Sequence, residues 1–143
     1  MKPLAVAVCI LLLPLGSFAK AETSRQNSCQ SAANTELCET QKTQFAKDFK
    51  NANAGDYAAQ RNVAFCLAKG CDGAVPVNQI NACTWRMIIQ GAPNHKTEAD
   101  RWSYDADCGS LSNTDRKAAL SQAEKLYKRV YRKPLPLEAL LRN

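Results

Sequence analysis

Residues 53–91 read NAGDYAAQRNVAFCLAKGCDGAVPVNQINACTWRMIIQG, and this stretch decides the fold class. Gly55-Asp56 ends one helix and caps the next: glycine accepts the positive φ of a helix end, and aspartate accepts from first-turn amides. Ala59, Val63 and Leu67 recur every fourth residue, the spacing of a buried stripe, which predicts a helix over 56–69. Gly70 closes it, and Cys71 to Val77, containing Gly73 and Pro76, reads as a turn. Asn78 caps a further helix to about Gln90, with Ala82, Trp85 and Ile89 on one face. Gly91-Ala92-Pro93 breaks it.

Towards the N-terminus, Thr35 to Asn53 has helix-forming composition, with Phe45, Phe49 and Ala52 spaced as one face. Residues 22–34 are polar and read as an arm. Towards the C-terminus, a weaker helix is predicted over Thr97 to Ala106, burying Ala99, Trp102 and Ala106. After a break at 109–113, Thr114 or Ser112 caps a helix to about Arg132, with Ala119, Ala123, Leu126 and Val130 inward. Pro134 stops it. Leu135 to Leu141, with Pro136 at a helix-start position, reads as a short apolar clamp folded back on the bundle. No alternating strand pattern of useful length appears, so the expected fold is all-α, with about five helices.

A chain of 143 residues supports one domain. The first residues stand apart from it. Lys2 precedes an apolar run from Leu4 to Leu15, and small residues follow at Gly16, Ser17, Ala19 and Ala21. A bilayer span needs about 20 apolar residues, so the run reads as a signal peptide, 1–21, cleaved after Ala21 with Ala19 the competing site. The mature chain is then periplasmic or secreted, with no transmembrane segment. Cleavage removes Lys2, Lys20 and Cys9, lowering the net charge from +6 to +4. Six cysteines remain: Cys29, Cys38, Cys66, Cys71, Cys83 and Cys108. An even count in an exported chain predicts a disulfide framework.

The stretch Asn53 to Val63 resembles the opening of a Sel-one-like repeat, a relative of the tetratricopeptide hairpin, of exported bacterial type. That opening typically reads Ala-x-Gly-Asp-x-x-Ala-Gln-x-Asn-Leu. Gly70-Cys71-Asp72-Gly73 with Val75-Pro76 is similar to the family's Gly-x-Gly-Val-Pro turn with one residue added. Ala82-Cys83-Thr84-Trp85 stands where the family has Ala-x-x-Trp. The resemblance covers one repeat, about 54–91, and a preceding half repeat at 35–53. It implies an αα-hairpin domain over 35–112, followed by a basic helix and apolar tail at 113–143. Its functional implication is protein–protein interaction. A lone repeat lacks the stacked neighbours that normally stabilise such folds, and disulfides with terminal helices are the expected substitutes.

Six cysteines allow 15 pairings. With Gly70 as the positive-φ residue of a Schellman ending, Cys66 and Cys71 come into bridging range. The helices flanking Pro93 form an antiparallel pair that brings Cys83 near Cys108, and Cys29–Cys38 ties the arm to the first helix. The preferred set is 29–38, 66–71 and 83–108; the competitor joins 66–83 and 71–108. Structural zinc would require two closely spaced cysteine pairs, and the spacing offers only one. There is no Cys-x-x-Cys for redox catalysis.

Other chemistry is sparse. His95 is the lone histidine and sits in a turn. Glu98, Asp100, Asp105 and Asp107 lack the glycine and closing Glu of an EF-hand and read as an acidic solvated face. No nucleophile elbow or phosphate loop is present, so neither an enzyme nor a cofactor is expected.

Charge is uneven. Residues 22–113 hold 9 basic and 10 acidic side chains, whereas 114–143 hold 8 basic and 3 acidic. Lys125, Lys128, Arg129, Arg132 and Lys133 form the expected partner-binding face, for another protein or an anionic envelope surface; export disfavours nucleic acid. Tyr127 and Tyr131, interleaved with them, read as core or rim. Asn62 is expected to line the inner surface or to bond between helices. The alternative function is a disulfide-stabilised inhibitor or effector acting through an exposed loop, Gly91 to Lys96.

Overall fold

The computed structural model describes residue 29 and residues 32–93 and 97–141. The expected signal peptide at 1–21, most of the expected 22–34 arm and His95 lie outside the described residues. Six helices and no strands occur among the described residues: α1 Thr35–Asn53, α2 Tyr57–Lys69, α3 Gln79–Gly91, α4 Glu98–Gly109, α5 Asn113–Tyr131 and the short α6 Glu138–Leu141. The fold is all-α.

Each long helix begins on a side chain that satisfies a first-turn amide. Asn34, Asp56, Asn78, Thr97 and Ser112 accept from Leu37, Ala59, Asn81, Asp100 and Asp115. Such caps contribute about 1 kcal/mol each. Ser112, not Thr114, starts α5.

The centre of the molecule is α3, which packs against α2, α4, α5 and α6, while α1 packs on α2. Residues 82–91 are buried on every side, the pattern of a helix inside a core. Ala59, Val63 and Leu67 face inward from α2, and Ala119, Ala123 and Tyr127 from α5. Gly91 allows the closest approach. A Cβ there would lie 2.7 Å from Leu135 Cδ1 and 2.8 Å from Tyr127 Cε2. The Tyr127 hydroxyl donates to the Gly91 carbonyl at 2.6 Å. The tail folds back as expected: Leu135 is buried, and Arg101 donates to the Leu140 carbonyl at 3.2 Å.

The cysteines pair as 29–38, 66–71 and 83–108, with Cα separations of 5.6, 4.9 and 4.9 Å. The competing 66–83 and 71–108 set is excluded. Gly70 has a φ of +89°, and its amide donates to the Cys66 carbonyl at 2.7 Å, the single bond of an αL ending rather than the Schellman pattern. Cys71, Asp72 and Gly73 also have positive φ, so four successive residues are left-handed. Two of them carry side chains, each at a cost of about 1–2 kcal/mol. The Cys66–Cys71 bridge and a Val75 amide bond to the Gly70 carbonyl hold this turn.

Helix α4 departs from expectation. Ala99, Trp102 and Ala106 are exposed, Trp102 by 66%, whereas Asp100, Asp107 and Cys108 face inward. The physical cause lies in the partners. Arg86, embedded in α3, needs a carboxylate, and Asp107 supplies one at 2.8 Å. Asp100 accepts from the Tyr57 hydroxyl, stands 2.9 Å from Arg61 Nε and closes a capping box with Thr97. Of the expected acidic solvated face, only Glu98 and Asp105 are exposed.

Candidate interaction groove

Helices α1, α3 and α5 share a face, and the groove between them has a volume of about 300 Å³. Its floor is Trp85 and Thr84 of α3 with Leu67 of α2. Trp85 is almost wholly buried, held there because α3 is enclosed on its other sides. One wall is Phe49 and Asn53, one turn apart on α1; the other is Gln122, Lys125, Leu126 and Arg129 of α5. Phe49 meets Trp85 edge-on, with ring centroids 6.1 Å apart and planes at 75°, a favoured aromatic geometry. It nevertheless remains 46% exposed. Thr84 Oγ1 lies 2.9 Å from the Ile80 carbonyl and 3.3 Å from both the Ala119 carbonyl and Gln122 Oε1, fixing α5 against α3 beneath the groove.

The five basic residues expected to form one face lie on α5 and just beyond its end, and two of them line the groove. All are exposed. Lys125 and Arg129 line the groove. Lys133 instead borders a separate cavity of about 290 Å³ with Gly91, Pro136 and Glu138. Arg132 ends α5 in a left-handed conformation, its amide donating to the Lys128 carbonyl at 3.0 Å. Among the described residues, neither Lys125 nor Arg129 has a carboxylate within ion-pair distance.

Asn62 bonds between helices: its Nδ2 donates to Asp48 Oδ2 of α1 at 3.2 Å. In the 91–96 loop, Gly91 and Ala92 are buried, Pro93 is exposed, and 94–96 lie outside the described residues. Among the described residues all six cysteines form disulfides, and no group of three or more His, Cys, Asp or Glu is arranged to hold a metal ion. No helix among the described residues is long and apolar enough to cross a membrane.

Two ionisable clusters are perturbed, and both brace the fold. Burial opposes ionisation of Asp100, but hydrogen bonds from Tyr57 and Thr97 and the Arg61 charge outweigh it, so its pKa is lowered. The Tyr57 phenol is raised by burial and by Asp100. Tyr127 is raised by burial, then by Tyr131 and Glu138.

The apolar half of the groove was not singled out from sequence. Trp85 reads as core, which it is, and Phe49 as one face of α1. The available signal was Phe45, Phe49 and Asn53 at four-residue spacing on an otherwise polar helix. Comparison with protein-family models, curated proteins and solved structures gives no match to this chain.

Proposed function

We propose that this chain is an exported helical-repeat protein of the Sel-one-like kind, acting as a protein–protein interaction module in the periplasm or outside the cell. The signal peptide ends at Ala21 in this reading. Three disulfides fit an oxidising compartment. The resemblance over 54–91 supports the repeat, and the hairpin of α2 and α3 falls where its motifs stand.

The observation that carries the functional reading is the groove itself. A half-exposed aromatic beside a cationic wall is a surface kept open by its surroundings, and aromatic and arginine side chains are the residues that anchor interfaces. The inhibitor reading has less support, because Gly91 and Ala92 of its loop are buried.

Site-specific photo-crosslinking tests the module. A photoreactive phenylalanine at Phe49 is expected to give a protein adduct of discrete mass in the native host. The same label at Phe65, an exposed residue of α2 outside the groove, is expected to give none. Equal labelling at both positions, or none at either, overturns the reading.

A further inference from the structure

We infer that the α1–α3–α5 groove takes an acidic peptide segment with one large apolar anchor. The inference rests on the interaction-module reading and names the partner's chemistry. The volume, about 300 Å³, holds a large side chain and little more. The anchor would pack on Phe49 and Leu126, the apolar lining residues with accessible surface, above the nearly buried Trp85 and Leu67.

Polarity around that pocket has one sign. Lys125 and Arg129 are the charged residues of the lining, and Asn53, Asn81 and Gln122 add amides; no carboxylate is among them. An acidic flank gains charge-assisted hydrogen bonds here, and arginine presents a fork that fits a carboxylate with two bonds. A basic flank gains nothing and is repelled. The concave shape also favours a peptide over a bilayer. Phe49 and Leu126 stand on opposite helical walls, α1 and α5, so the accessible apolar surface lies between two helices and not on a flat face.

The test uses the mature chain with its three disulfides intact and labelled peptides of equal length. One series carries a tryptophan anchor flanked by Glu, Gln or Lys; another replaces the anchor by Ala. Fluorescence anisotropy is expected to show about tenfold tighter binding for the Glu-flanked peptide than for the Gln-flanked one, the effect of two exposed charge contacts. The difference shrinks as salt rises past about 150 mM. Replacing the anchor by Ala, or Phe49→Ser in the protein, is expected to weaken binding about tenfold or more.

The paired reversal Lys125→Glu with Arg129→Glu is expected to move the preference to the Lys-flanked peptide. Both positions are exposed, and circular dichroism checks that the variant keeps its helices. Equal affinity for Glu- and Gln-flanked peptides overturns the inference while leaving the module standing. A preference unchanged by the reversal overturns it too. If no peptide binds, but vesicles with anionic lipid bind in a manner lost on reversal, a membrane surface replaces the peptide. If nothing binds, the inference falls, and crosslinking at Phe49 decides the module separately.

Discussion

Arg86 Nε lies 2.8 Å from Asp107 Oδ2, with both side chains more than nine-tenths buried, beside the disulfide that joins Cys83 to Cys108. A covalent bridge and an ion pair thus hold α3 to α4 at neighbouring points.

Removing one member of this pair leaves a buried charge without a partner. Asp107→Ala is expected to cost about 3–5 kcal/mol in urea unfolding. The double replacement Arg86→Met with Asp107→Leu is expected to recover most of that loss, because well-packed apolar groups replace a buried ion pair at little cost. A double variant no more stable than Asp107→Ala would show that the packing, not the charge, dominates.

Replacing both members of one disulfide by Ala separates their contributions. In the chain-entropy estimate the 25-residue separation of Cys83 and Cys108 corresponds to about 3.5 kcal/mol, and the five-residue separation of Cys66 and Cys71 to about 2 kcal/mol. The expected order of thermal midpoints is therefore native, then the 66–71 variant, then the 83–108 variant. Intact mass of the protein, rising by about 6 Da on reduction, checks that all three bridges form.

Gly91→Ala introduces a methyl group where Leu135 and Tyr127 already stand within 3 Å. Leu135 Cδ1 can swing aside, but the buried Tyr127 ring is tied to the Gly91 carbonyl and must shift with it, at an expected cost of about 1–3 kcal/mol. The tail should loosen first, read as increased chymotryptic cleavage after Leu137 relative to the native chain.

Acid should weaken the α2–α4 junction. Asp100 is held below its ordinary pKa, so the folded state favours its ionised form. That stability is fully present above the unfolded value, about 3.9, and is lost as pH falls through the lower folded value. The urea midpoint is expected to fall below about pH 4, and Asp100→Asn to flatten that decline. At the other end, the Tyr57 and Tyr127 phenols are raised, so their contribution is complete below about pH 10 and declines above it.

Helix starts and the 66–71 bridge were legible because each depends on a local rule, a capping side chain, a positive-φ glycine or a spacing of five residues, whereas 83–108 followed from the antiparallel pairing of two helices. The α4 face was not legible, because it was read by apolar spacing while its inward side is made of carboxylates. Two signals pointed the other way. Thr97-x-x-Asp100 has the form of a capping box, and Arg86 lies within a helix whose apolar residues surround it on every side. A buried arginine implies a carboxylate somewhere, and only packing tells which one. The groove was half legible for the same reason. Lys125 and Arg129 are evident as charge, but that they meet Phe49 depends on α1 and α5 flanking the same side of α3.

The three bridges share one property of order. Among the six cysteines, each native partner is the next cysteine along the chain: 29 with 38, 66 with 71, 83 with 108. On the proposed export, with residues 1–21 and their Cys9 removed, a chain threaded from its N-terminus into an oxidising space would present these thiols pair by pair. An oxidant that joins each to the next arrival makes the native set at once, with no shuffling by an isomerase. Under that proposal, order of emergence alone would suffice to specify the correct cross-links.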